Sequence, residues 1–206
     1  MQIPANISLK QEGQYCIHCF SQKVEKTDRD GLTYYHCHSC GQIAERSLVI
    51  DNSIVWWIDK KTNEYWHESV GIFVFNFENK ALFFERTIYP FAFTIPAGHL
   101  DVGEIADVAV KRELKEETKI ESDNVKLFST EDVSGDKCRR GADHHKWHLY
   151  VAQIENIGNI KINDEGIKPV WLTFDEALGK KLVYPVRYFI EKYGEKLLKS
   201  AQIVEI

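Results

Sequence analysis

The chain has 206 residues, 44% of them hydrophobic and 12% aromatic, with a formal net charge of −5. That composition suits one ordinary domain with its own core plus a small appendage, and the negative balance argues against broad electrostatic binding to nucleic acid. No apolar run approaches the roughly 20 residues that span a bilayer, and the start MQIPANISLKQEGQ lacks the basic and apolar segments of a targeting signal, so a soluble cytoplasmic protein with no membrane partner is expected.

Residues 1–14 carry no periodic signal and are expected to form a loosely held arm. Cys16-Ile-His-Cys19 and Cys37-His-Ser-Cys40-Gly41 follow, two CxxC pairs with 17 residues between them. Such pairs close tetrahedrally on one Zn²⁺, and Gly41 suits the turn after the last ligand. Asp30-Gly31 reads as a hairpin turn between them, and Leu32 to Tyr35 as a strand. His18, His36 and His38 lie close enough to replace a thiolate, but four thiolates make the simpler site. A zinc ribbon of this size cannot bury enough surface to fold alone, so its metal should supply its stability. The five cysteines, two close pairs and the single Cys138, fit metal binding in a reducing compartment better than a disulfide framework. The expected division is 1–48 for arm and ribbon and 49–206 for the larger domain.

In that domain Ile54 to Ile58 and Tyr65 to His67 flank the polar stretch Asp59 to Glu64, which predicts a hairpin. Val70 to Phe77 is a nearly continuous apolar run, the mark of a strand covered on both faces. Asn79 turns the chain and Lys80 to Arg86 returns as a partner strand. An aromatic loop, Tyr89 to Phe93, leads to Ile95-Pro96-Ala97-Gly98.

From Glu104 the composition is helical, with Ile105, Val108, Ala109 and Leu114 at the spacing of a buried face. Glu113, Glu116 and Glu117 stand at i, i+3 and i+4, so a helix stacks three carboxylates on one patch. Two readings are open. With Lys111, Arg112, Lys115 and Lys119 interleaved, the patch is a solvated face; with Gly98 and Gly103 bending a loop against it, the patch is a site for a hard cation such as Mg²⁺ or Mn²⁺.

Beyond the helix, Val125 to Phe128 begins a strand, and Ser129 to Asp143 is a long polar loop, expected to border a substrate, with Glu131, Asp132, Arg139 and Arg140 in it. Cys138 is expected to be a bystander. His144, His145 and His148 hint at a second transition-metal site, but the alternation from Lys146 to Val151 reads as a half-buried strand, and no metal role is expected for them. Lys168 to Leu172 is a short strand, Thr173 to Glu176 a capping box that opens a helix, and Val186 to Lys199 a closing helix with only Gly194 against it.

The loop and helix together resemble the Nudix box, Gly, five residues, Glu, seven residues, then Arg-Glu-apolar-x-Glu-Glu-x-Gly-apolar. Gly98, Glu104, Arg112, Glu113, Leu114, Glu116, Glu117 and Ile120 fall on it in register, and Lys119 stands where the family has glycine. A left-handed residue is common at such a helix end, so lysine there costs about 1 kcal/mol unless the chain leaves the helix differently. The resemblance implies an α/β fold, a Nudix α/β/α sandwich with a mixed sheet, preceded here by the small zinc-ribbon domain. It implies a hydrolase that cuts the pyrophosphate of a nucleoside diphosphate linked to another moiety, with Mg²⁺ or Mn²⁺ held by Glu113, Glu116, Glu117 and the carbonyl of Gly98. Glu104 and Arg112 match the pair that braces loop against helix. Arg86 stands where family members often carry an arginine facing phosphate. Glu165, six residues ahead of Trp171, resembles an added carboxylate that serves as metal ligand or base, with Glu131 and Asp132 in reserve.

A ribbon before such a domain is also similar to the NADH pyrophosphatase group. The Ser-Gln-Pro-Trp-Pro-Phe-Pro type of signature that marks that specificity is missing, however; Ser129 to Arg140 occupies its place without a proline. The proline typical of ADP-ribose pyrophosphatases is also missing. NADH, ADP-ribose, another nucleotide sugar or a capped RNA end all remain open as substrates. The alternative is a nucleotide-sensing module without catalysis, whose ribbon binds protein or nucleic acid. The ribbon is expected to scaffold a homodimer or to shape the substrate pocket.

Overall fold

The computed structural model describes residues 1–154 and 160–202. Its first third holds five short strands, β1 (Gly13–Cys16), β2 (Val24–Arg29), β3 (Leu32–Cys37), β4 (Ile43–Ala44) and β5 (Ser47–Ile50). Strands β2, β3 and β4 form a three-stranded sheet, while β1 pairs with β5. The β2–β3 hairpin turns at Asp30 and Gly31, both with positive φ, as the right-handed twist of a tight hairpin requires. The loosely held arm is not found. Ile7 is buried, and Met1 and Ile3 pack on the cluster that it forms with Tyr15, Leu48, Ile50 and Tyr65, because these few apolar side chains have a ready-made face to cover.

The larger sheet is built from β6 (Trp56–Ile58), β7 (Tyr65–Phe75), β8 (Ala81–Arg86), β9 (Phe93–Thr94), β10 (Ala97–His99), β11 (Lys126–Ser134), β12 (His144–Gln153) and β13 (Gly166–Leu172). Its main path runs β11-β12-β7-β8-β13, with β6 and β10 pairing with β7 and β9 with β8. Only β12 runs parallel to its neighbour β7; the other pairings are antiparallel, which makes the sheet mixed. The two segments expected on either side of Ser69 are one continuous strand, β7, whose middle is hydrogen-bonded on both sides by β12 and β10.

Alternation along β7 sorts the core into two layers. Val70, Ile72 and Val74 face helix α1 (Ala106–Thr118) through Ala109, Val110 and Leu114. Phe73 and Phe75 face the other way, against α2 (Phe174–Leu178) and α3 (Tyr184–Gln202), where Phe174, Val186 and Phe189 fill the layer. This is the expected α/β/α sandwich. The buried face of α1 keeps the expected Ala109 and Leu114 and adds Val110, while Ile105 and Val108, also expected there, are 65% and 53% exposed. The sheet touches the arc through Ala109, Val110 and Leu114, and Ile105 lies at the N-cap, off that arc.

The polar run from Ser129 is a strand as far as Ser134, so the loop expected up to Asp143 shrinks to residues 135–143. Strand β11 is an edge with a single partner, and such a strand tolerates polar residues on the face turned to water. The capping box at Thr173 is present, with the Thr173 hydroxyl accepting from the Glu176 amide and the Glu176 carboxylate accepting from the Thr173 amide. Among the described residues no helix is long and apolar enough to cross a membrane.

Candidate active site

Strand β10 holds Gly98 opposite Val70 of β7, and the chain then bends through Gly103 into α1, which sets the three carboxylates of that helix beside the Gly98 backbone. A Cβ added to Gly98 would lie 2.0 Å from the Glu113 carboxyl, so only glycine leaves room for that carboxylate. Arg112 ties loop to helix, its Nε and Nη2 donating to the two oxygens of Glu104 at 3.0 and 2.9 Å while Nη2 also donates to the His99 carbonyl at 3.2 Å. Its Nη1 reaches Glu113 at 2.8 Å and Glu116 at 3.4 Å. The expected brace of Glu104 and Arg112 is therefore built as a two-point clamp.

The three carboxylates meet different environments. Glu116 is largely exposed, Glu113 is mostly covered, and Glu117 is 4% exposed, accepting from the Ala97 amide at 2.8 Å. Burial, and after it the Glu113 carboxylate, push Glu117 up to about 8, although the Ala97 amide and Arg86 favour its charge. Burial likewise raises Glu113, against the pull of Arg112. Two acids held close with too little positive charge make a site that gains by taking up a cation.

Arginines line the same cavity as these carboxylates. Arg86, at the end of β8, is half-buried, with only long bonds at 3.4 Å from its guanidinium to the carbonyls of Ile88 and Tyr89. Burial depresses its pKa, and Glu117 and Glu165 work against that. Arg139 and Arg140 come from the 135–143 turn. Arg139 donates to Glu165 at 2.9 Å, and Arg140 pairs with Asp51. The Asn163 amide donates to the Glu117 carbonyl at 3.0 Å and its side chain accepts from the Glu165 amide, which brings Glu165 to the same cavity. The reserve acid Glu131 is not part of this wall: it accepts from Tyr188 and Lys192 and pairs with Tyr193, all on α3.

In the ribbon, the four sulfurs of Cys16, Cys19, Cys37 and Cys40 all lie within 4.8 Å of one another. The Cys16–Cys40 and Cys19–Cys37 separations are 3.8 and 3.6 Å, close to the roughly 3.8 Å edge of a zinc–thiolate tetrahedron. The Cys40 amide, outweighing burial and joined by Ser39, draws the Cys37 thiol down to about 6. His38 instead pairs with Glu25 at 2.8 Å.

A second group of donors differs from the one the sequence hinted at, sharing only His145 with His144, His145 and His148. His67, His99, Cys138 and His145 bring one ligand atom each to within 4.8 Å of the others. The only sequence signals were His99 next to the box glycine and His145 at the head of an alternating strand; their union with His67 and Cys138 depends on strand register. Cys138, expected to be a bystander, lies among three histidines, and His145 of the alternating strand is one of them. Burial pushes the Cys138 thiol up, but His67, His145 and His99 outweigh it and hold it well below its usual range. Burial depresses His67, and takes His99 to about 3. Burial works the same way on His145, where Asp136 overcomes it and raises the ring to about 10. The remaining two histidines face elsewhere, His144 to Glu64 and His148 to Glu68.

Comparison with known proteins agrees with this fold. The family description "NUDIX domain" matches residues 65–193. Among solved structures, the NUDIX domain of Shewanella oneidensis NrtR complexed with ADP ribose is similar at a TM-score of 0.56 and 21% identity, covering 68% of this chain and 93% of that one. A MutT protein from Methanosarcina mazei Go1 is similar at 0.54 and 18%, covering 64% and 94%. A C. elegans Ap4A hydrolase binary complex is similar at 0.50 and 19%, covering 64% and 97%. No curated protein matches the chain.

Proposed function

The chain belongs to the NUDIX family and is a Nudix hydrolase; from that premise we propose that it cleaves the pyrophosphate of a nucleoside diphosphate joined to another moiety, such as NADH, ADP-ribose or a nucleotide sugar. The observation that carries this reading is that box carboxylates and arginines line one cavity. Glu113, Glu116 and Glu117 line it beside the open Gly98 backbone, and Arg86, Arg139 and Arg140 line it as well. A phosphate chain carries negative charge that the arginines attract, and it meets the carboxylates only if cations lie between. ADP-ribose and Ap4A, named for two of the similar proteins, belong to this substrate class.

The residues fit Mg²⁺ or Mn²⁺. The donors are oxygens, the room at Gly98 would be filled by any Cβ, and the buried Glu117 has no strong cationic partner of its own. When bound, the cation supplies neutralisation of phosphate charge and a more acidic water. Glu113, Glu116, Glu117 and the Gly98 carbonyl would hold it, with Glu165 as a further ligand or as the base that takes the water proton. Arg139 holds the Glu165 carboxylate in place, and Arg112 with Glu104 keeps the loop at a fixed distance from the helix. Arg86, short of good partners, is the residue left to bind a phosphate oxygen.

The first 48 residues act as a zinc-stabilised unit that shapes the cavity. The Thr33 amide donates to the Thr87 carbonyl at 2.9 Å, the Tyr34 ring packs on Phe91, and the Ser47 amide donates to the Arg139 carbonyl at 3.1 Å. The ribbon thereby supports both the aromatic loop and the arginine turn. A panel of NADH, ADP-ribose, nucleotide sugars and capped RNA with Mg²⁺ or Mn²⁺ tests the proposal. Release of a nucleoside monophosphate, lost in Glu116→Gln and Glu117→Gln with the circular dichroism unchanged, is the expected result. Tight nucleotide binding without that release would make the chain a sensor. Salt-dependent submicromolar binding to oligonucleotides would turn the ribbon's role to nucleic acid.

A further inference from the structure

We propose that His67, His99, Cys138 and His145 form a second transition-metal site, closed and of the zinc type, that pins the arginine-bearing turn to the sheet beside the carboxylates. The four residues come from separate places, His67 on β7, His99 on β10, His145 on β12 and Cys138 in the 135–143 turn. Strand pairing is what gathers them. His145 stands opposite His67 in the parallel β12–β7 register, and His99 opposite Ser69 two positions along the same strand. The turn then drops Cys138 onto the three rings.

The distances are those of a shared ligand. His67 Nδ1 lies 3.0 Å from His99 Nε2 and 3.7 Å from Cys138 Sγ. Zinc bonds of about 2.0–2.1 Å to nitrogen and 2.3 Å to sulfur give tetrahedral edges of roughly 3.3 Å between nitrogens and 3.6 Å between nitrogen and sulfur. His67 is fully buried and its Nε2 has no partner, so the side chain makes its polar contacts at Nδ1, inside the cluster. Hydrogen bonds alone serve such a group poorly, because one proton satisfies only one of the pairs that converge there.

The surroundings have the form that supports a ligating histidine. His145 turns Nδ1 to the Asp136 carbonyl and carboxylate, each at 3.1 Å, which leaves the opposite nitrogen for the cluster. Asp136 is fixed in turn by the Trp147 indole at 2.7 Å. A carboxylate behind the ring of a metal-binding histidine orients it and makes it a stronger donor. Three imidazoles and a thiolate select zinc or a neighbouring transition ion over Mg²⁺, whose ligands are oxygens. Four protein donors fill a tetrahedron, so the ion holds structure and keeps no open position for water. Its effect is to fasten Cys138, and with it Arg139 and Arg140, at the cavity wall that His99 shares with Gly98.

Zinc content of the full chain, purified and then dialysed against Zn²⁺, tests this without reference to the hydrolytic activity. With Mg²⁺ in large excess to occupy the carboxylate site and loosely held zinc washed out, two equivalents per chain are expected, and the zinc X-ray absorption spectrum should show imidazole nitrogen as well as sulfur. Cys40→Ser, which breaks the ribbon site, should keep one equivalent, and its Co²⁺ form should show visible bands of a tetrahedral ion with little thiolate charge transfer. Cys138→Ala combined with His99→Ala should lose that equivalent and keep the ribbon's. A zinc shell of sulfur alone in the unmodified chain overturns the proposal, and that measurement does not depend on any variant folding. Stoichiometric alkylation of Cys138 in zinc-saturated protein also overturns it.

Discussion

Strands β2, β3 and β4 bury only Tyr35 and Cys37, whereas β7 buries all but two of its eleven residues. Each fully buried Val, Leu, Ile or Phe contributes about 1.5–3 kcal/mol. The large sheet therefore stands on its own packing, while the ribbon has four clustered thiols in place of a core. The two regions differ again in how they hold charge. Of the ribbon's thiols Cys19 and Cys40 are exposed, and Cys37 is tuned chiefly by the Cys40 amide, but Glu113 and Glu117 of α1 are forced together under the sheet's cover. On the reading proposed above, one region would use a metal to fold, and the other would use its fold to make a metal site.

Removing zinc is the broadest way to test that contrast. A strong chelator should abolish hydrogen-exchange protection across β2–β4 while β7, β8 and β12 stay protected, because binding free energy of about 10–16 kcal/mol is typical of structural zinc. Uniform loss of protection across both regions would show that they do not differ in this way. Next in size is Gly98→Ala. The added Cβ must displace the Glu113 carboxyl from 2.0 Å, so Mg²⁺ affinity should fall roughly 10- to 100-fold, as when a supporting group at a metal site is lost. Isothermal titration with Mg²⁺ measures it, and unchanged affinity would remove Glu113 from the site.

Acidity gives a third, smaller effect. Glu117 is raised from its ordinary 4.5 to about 8, so between those values the metal-free folded protein keeps a proton that the unfolded chain releases. Its contribution to stability is full below about pH 4.5 and is lost as the pH rises through 8, so metal-free Tm should fall over that window. Mg²⁺ replaces the proton, and the gain in Tm on adding it should widen from pH 6 to pH 8.5. Calorimetry of Glu117→Gln should lack both trends; if the same slope persists there, another group is responsible. The smallest effect is at Lys119, which takes the left-handed conformation with φ 64° at the end of α1. Lys119→Gly should stabilise the chain by about 1 kcal/mol, read from urea midpoints, with no loss in the ribbon.

How much of this was legible depended on the distance over which each feature is written. The CxxC pairs and the box carry their geometry within one knuckle or two helical turns, and both cysteine convergence and the Glu104–Arg112 brace are present as expected. Periodicity located α1 and placed Ala109 and Leu114 inward, but it also turned Ile105 and Val108 inward, since they are as apolar as the residues the sheet covers. The polar letters of Ser129 to Ser134 concealed a strand, because an edge strand with one wet face needs little apolar content.

The spacing of glutamates and cysteines along the chain determined which chemistry this protein carries, since helical and knuckle geometry follow from a few consecutive dihedral angles. Tertiary structure alone decided that Arg86, Arg139 and Glu165 share a cavity with the box, and that histidines 67, 99 and 145 meet Cys138. Those residues are neighbours only through the register of β7 with β10 and β12 and the return of the 135–143 turn. Pairings of that kind are selected by burial of whole strand faces, a long-range balance that no local stretch of sequence contains.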